Sequence, residues 1–153
     1  MRNKQAFMRI GAATLLAIVA SQAAAQTPSA QWTKAKPILE AALTCSRLDG
    51  SFQTAEKALT SAGWDRESAV NLPLQVTPFG LPTQRVLVMR DGGEHTYRAY
   101  LPGVTEAQLV KAAKLKRGKD GQGYGRATKL GVLTASVEDG VTALTCTVNT
   151  EDY

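Results

Sequence analysis

The residues able to do chemistry in this chain are few and scattered. His95 is the only histidine, and Cys45 and Cys146 are the only cysteines. A nucleophilic hydrolase needs a Ser, Thr or Cys within reach of a base. No serine sits in a G-x-S-x-G turn, and His95 falls beside a hairpin turn, where it is expected to be exposed. Glycoside hydrolysis needs two facing carboxylates. The Asp and Glu residues here fall in turns, at helix starts or next to basic residues, the usual places of solvated surface and caps. Trp32 and Trp64 flank the helical part and could form a sugar platform, although core packing explains them as well. With one imidazole and two thiols far apart, no zinc spacing exists. No catalytic residue, metal or cofactor is therefore assigned.

Gly118-Lys119-Asp120-Gly121-Gln122-Gly123-Tyr124-Gly125 superficially resembles a phosphate cradle. A P-loop leads from a strand into a helix and ends in Lys followed by Ser or Thr. Here a helix leads into a strand, and Asp120 follows Lys119. The segment reads instead as a flexible loop or as a projecting contact loop.

Charge singles out the same region. Lys111, Lys114, Lys116, Arg117, Lys119, Arg126 and Lys129 crowd together, opposed only by Asp120. Such a patch steers an anionic partner, and Tyr124 could anchor it. A solvated helix end is the plainer alternative. Aromatic residues are too few for a nucleic-acid surface.

The two cysteines read as a disulfide, because an even count in an exported chain implies pairing. A redox pair would need C-x-x-C proximity or a depressed pKa. Export is expected from the first 25 residues: Arg2, Lys4 and Arg9, an apolar run from Ile10 to Ala20, and Ala23-Ala24-Ala25 at the cleavage positions. The apolar run is shorter than the roughly 20 residues a spanning helix needs, so no stable membrane insertion is expected after cleavage. The protein is expected in the bacterial periplasm or outside the cell. Three of the 18 Lys and Arg residues lie in that leader, so 15 face 13 Asp and Glu in the remainder. The mature chain is therefore close to neutral as a whole, and outside the basic cluster it is acidic, with 8 Lys and Arg against 12 Asp and Glu.

The elements that must position these residues follow from periodicity. Residues 1–25 are the leader, 26–31 a flexible lead-in, and 32–153 one α+β domain, a length suited to a single core. A first helix begins at Thr33 or Pro37 and runs to about Ser46, with Ile38, Ala41, Ala42 and Cys45 on its apolar face. Ser51 is the expected cap of a second helix, whose stripe is Phe52, Ala55, Ala58, Leu59 and Ala62 and whose stop is Gly63. Residues 65–71 read as a linker. The stretch from Leu72 to Pro82, with three prolines, reads as an edge strand or a shaped loop. Gln84–Arg90 and His95–Leu101 make a hairpin about Asp91-Gly92-Gly93-Glu94. Thr105 and Gln108 open a third helix at capping-box spacing, and Gly118 ends it. Residues 119–128 form a loop. Strands follow over 130–137 and 141–148.

The expected fold is thus α+β, in the order α-α-β-β-β-α-β-β. An antiparallel sheet of 4–5 strands is packed on one face by three helices and stapled by one disulfide. The expected function is an exported, non-enzymatic protein-binding module of inhibitor or immunity type. Its partner is a protein with an acidic surface, contacted through Tyr124, Lys116, Arg117, Lys119 and Arg126, or through the Pro-rich stretch at Phe79. The alternative is a small hydrolase or cell-wall-binding accessory with a dispersed site.

Overall fold

The computed structural model describes residues 29–46, 52–119, 121 and 123–150. The expected leader, the turn and cap at residues 49–51, and Asp120 lie outside the described residues.

Helix α1 spans Ala30–Leu43 and buries Trp32, Ala35, Leu39, Ala42 and Leu43. It starts earlier than expected, so Pro37 lies inside it and not in its first turn. The buried stripe is correspondingly shifted, leaving Ile38 only half-buried. Helix α2 (Phe52–Ser61) buries Phe52, Ala55, Ala58 and Leu59 as its spacing predicts. Gly63, at φ 89°, closes it: Gly63 N–H reaches the Thr60 carbonyl and Trp64 N–H the Leu59 carbonyl.

Seven strands follow, β1 (Val70–Val76), β2 (Thr83–Asp91), β3 (Glu94–Leu101), β4 (Lys116–Arg117), β5 (Tyr124–Ala127), β6 (Val132–Glu138) and β7 (Val141–Asn149). Helix α3 (Glu106–Ala113) lies between β3 and β4. All pairs are antiparallel, in the order β1-β2-β3-β7-β6-β5-β4. Two meanders, β1 to β3 and β4 to β7, run from the sheet edges inward and meet at the β3–β7 ladder. Each is preceded by a helix, so α2 and α3 hold equivalent places.

The count of seven corrects the expected 4–5. The stretch expected to be a loop over 119–128 is a hairpin, β4–β5. Gly118 N–H bonds to the Gly123 carbonyl and Gly121 N–H to the Gly118 carbonyl, closing its turn. Gly125 is not there for looseness. A Cβ on it would stand 2.9 Å from the Leu133 carbonyl, so the ladder itself requires the small residue. β1 is an edge strand in spite of Pro73. Val70, Leu72, Leu74 and Val76 point inward, and Pro73 lies on the exposed side.

Helix α3 also differs from expectation. Its capping box forms: Thr105 Oγ1 accepts from Gln108 N–H, and Gln108 Oε1 accepts from Thr105 N–H. It ends at Ala113 and not at Gly118. Lys114 turns left-handed (φ 53°) and Leu115 N–H folds back to the Val110 carbonyl. This turn drops Leu115 into the core, at 6% exposure. Lys116 and Arg117 therefore belong to β4 and not to a helix terminus.

The three helices cover one sheet face. Tyr97, Ala99, Leu101, Leu144, Cys146 and Val148 from the central strands point into that core. Phe52 of α2 meets Tyr97 edge-to-face, with ring centroids 5.2 Å apart. The Cys45–Cys146 disulfide forms as expected, with Cα atoms 5.5 Å apart and both residues buried. It ties the end of α1 to the middle of β7.

Candidate functional site

The pleat of the sheet sorts the expected contact residues onto two faces. Side chains alternate across a strand, and the register carries that alternation from edge to edge. One row, Val86–Ala99–Leu144–Ala135–Tyr124–Arg117, faces the helices. The next, Leu87–Arg98–Thr145–Thr134–Gly125–Lys116, faces away from them. Tyr124 is therefore not at a loop tip. It opens β5, half-buried and packed against the core. Arg126 is on the same side, its guanidinium 5.7 Å from the Phe79 ring centroid.

Phe79 sits in a 3-10 turn, Pro78–Gly80, with φ 53°. The left-handed backbone is unusual for an aromatic residue. The turn is pinned from α1: Glu40 Oε1 accepts from Thr77 N–H at 2.7 Å and from Thr77 Oγ1 at 2.9 Å. Phe79 packs half-buried against the core. The Pro-rich stretch and the basic hairpin, separate candidates in the sequence, thus touch through Phe79 and Arg126.

Lys111, Lys114, Lys116, Arg117 and Lys119 are all exposed. Among the described residues none of the five has a carboxylate within ion-pair distance. Arg117 Nε donates to the Gly121 carbonyl at 3.2 Å, which steadies the turn. The last turn of α3, β4 and the hairpin turn therefore form one cationic ridge along the sheet edge. It joins five of the clustered cations; Arg126 stands apart on Phe79.

The sheet face away from the helices carries a further group of polar side chains, which no local pattern in the sequence marks. Its central strands present Arg85, Leu87 and Met89 from β2, Thr96, Arg98 and Tyr100 from β3, and Ala143, Thr145 and Thr147 from β7. Arg98 is held in place: Nε donates to Thr145 Oγ1 at 2.9 Å, and Nη1 to the Glu138 carboxylate at 2.9 Å. The Arg85 guanidinium lies 5.0 Å from the Tyr100 ring centroid. Met89 and Val132 are exposed at 38% and 48%. Alternation along β3 puts Thr96, Arg98 and Tyr100 on one side; that no helix covers them is a property of the whole fold.

A second polar cluster lies under α2. Arg90 pairs with Glu56, stacks on Phe52 at 4.9 Å, and stands opposite His95 in the ladder. Tyr97 Oη and His95 Nδ1 are 3.4 Å apart. His95 is half-buried, correcting the expectation of exposure. Burial, and then the Arg90 charge, holds its pKa below the usual histidine range. Burial pushes the Tyr97 phenol up to about 12. Tyr97 has no exposed surface, so it cannot touch a substrate in this conformation. The cluster reads as a packed seam between α2 and the β2–β3 hairpin.

Trp32 and Trp64 are buried, at 6% and 8% exposure, and so form no sugar platform. Among the described residues no three His, Cys, Asp or Glu gather as metal ligands, and no helix is long and apolar enough to cross a membrane. Comparison with protein-family models, with curated proteins and with solved structures finds no match to this chain.

Proposed function

We propose that this chain is an exported, non-enzymatic protein-binding module of inhibitor or immunity type, acting in the periplasm or outside the cell. Its partner is a protein with an acidic surface. The cationic ridge of Lys111, Lys114, Lys116, Arg117 and Lys119 carries this reading. Five exposed cations share one edge of a stapled domain, without an ion-pair partner among the described residues. Like charges held together repel one another, and an acidic partner relieves that repulsion while speeding encounter. Arg126 and Tyr124 support the ridge from the helix side, with Phe79 beneath Arg126.

The test is affinity capture from extracellular and periplasmic extract with wild type and a K116E/R117E/K119E variant, each also melted thermally. A single specific protein recovered with wild type, and lost with the variant at unchanged melting temperature, is the expected result. Equal recovery by both contradicts the reading.

A further inference from the structure

We infer that the helix-free sheet face is a second contact surface, and that it takes a carboxylate-bearing loop of the same protein partner. The inference rests on the protein-binding reading above and names the chemistry of its other half. Three observations carry it. Arg85 is exposed, its guanidinium lies on the Tyr100 ring, and among the described residues it has no carboxylate within ion-pair distance. Arg98 is fixed beforehand through Nε on Thr145 and Nη1 on Glu138. Lys116, a member of the cationic ridge, ends the same open-face row that contains Arg98. The ridge and the open face are therefore continuous.

Among the described residues Glu138 and Glu94 are the strand carboxylates of this face, with Glu67 beside Met89 and Thr96 at the Glu94 end, and Glu138 is already bound to Arg98. Glu94 lies at the far end of β3, beside the hairpin turn. The ground between Arg85 and Lys116 is thus positive. Aromatic and arginine side chains are the usual anchors of protein interfaces, and a guanidinium held in place recognises a carboxylate with less ordering on binding. Met89, exposed at 38% and opposite Thr96 on the same face, offers apolar contact to whatever flanks that carboxylate.

The experiment is a titration of ¹⁵N-labelled protein with two defined probes. One is acetyl-Glu-Tyr-Glu-Leu-Glu-amide, and the other has Lys in place of each Glu. Amide and arginine Nε–H resonances report the site. The expected result is that the acidic peptide shifts Arg85 and Arg98 Nε–H with the amides of Leu87, Tyr100 and Thr145, and that the basic peptide does not. Arg85→Gln, which removes an exposed charge and its stacking on Tyr100, should weaken the acidic peptide about fivefold with an unchanged melt. Shifts confined to Lys111–Lys119 would overturn this inference and leave the ridge reading standing. Equal shifts with both peptides, or no loss in Arg85→Gln, would also overturn it. No shift anywhere would count against both.

Discussion

The indole Nε1–H of Trp64 donates to the Val88 carbonyl at 2.9 Å, in the interior. Val88 lies two residues beyond the last β1 pairing at Val86, so its carbonyl has no β1 partner. Trp64 takes the place of the missing strand. A buried carbonyl left without a donor costs about 1–3 kcal/mol. Trp64→Phe keeps much of the volume and loses the donor, so urea unfolding should show a loss of about that size. Contact with the protein partner should be unaffected once the variant is folded.

Cys45 combines two roles that can be separated. It forms the disulfide, and it occupies the left-handed position after α1, at φ 53°, where its N–H meets the Ala42 carbonyl and Ser46 N–H meets Ala41. Loss of the disulfide in Cys45→Ala/Cys146→Ala should lower stability by about 2–5 kcal/mol. Replacing Cys45 with Gly in the same Cys146→Ala background should recover up to about 1 kcal/mol, because glycine accepts the left-handed backbone freely. Equal stability of the two double variants would contradict this account of the helix end.

Lys114 stands in the matching position after α3, also at φ 53°. A lysine there retains a ridge cation at the expense of backbone strain. Lys114→Gly should therefore raise stability by up to about 1 kcal/mol in denaturant unfolding while weakening association with the partner. A variant that binds as well as wild type would remove Lys114 from the contact surface.

His95 gives the protein an acid limit. Its pKa is lowered in the folded state, so the unfolded chain binds the proton more readily. The stability that His95 contributes is complete above the ordinary histidine pKa near 6.5 and falls as pH drops below it toward the lowered value. His95 faces Arg90 across the ladder, and among the described residues Glu56 is the acid that acts on it. Melting temperatures between pH 7.5 and 5 should decline, and His95→Gln should flatten that decline. A parallel decline in the variant would assign the effect to other groups.

Much of the core was legible from residue types. The capping box at Thr105 and Gln108, the stripe of α2 and the β2–β3 hairpin declare themselves locally, and the disulfide follows from there being two cysteines, 101 residues apart. What failed were features decided by close approach across the sheet. Gly125 reads as loop because its lack of a side chain looks like freedom, yet the Leu133 carbonyl 2.9 Å from its would-be Cβ makes it a strand residue. Tyr124 reads as loop with it, since the pleat that turns it inward exists only once β5 pairs with β6. Helix α3 looked longer because Lys116 and Arg117 suit a helix terminus, and only the burial of Leu115 shows the chain turning earlier. The contact of Phe79 with Arg126 joins residues from different meanders through a left-handed turn, which no local pattern reports.

Everything proposed for this protein depends on the ridge beside the β4–β5 hairpin meeting another protein. Site-specific photo-cross-linking tests it most directly, with a benzophenone residue at Lys119 on the ridge or at Lys57 on the exposed outer side of α2. In cells expressing each variant, the account predicts one discrete protein adduct from position 119 and none from position 57. No adduct at 119, or equal adducts at both positions, would contradict it.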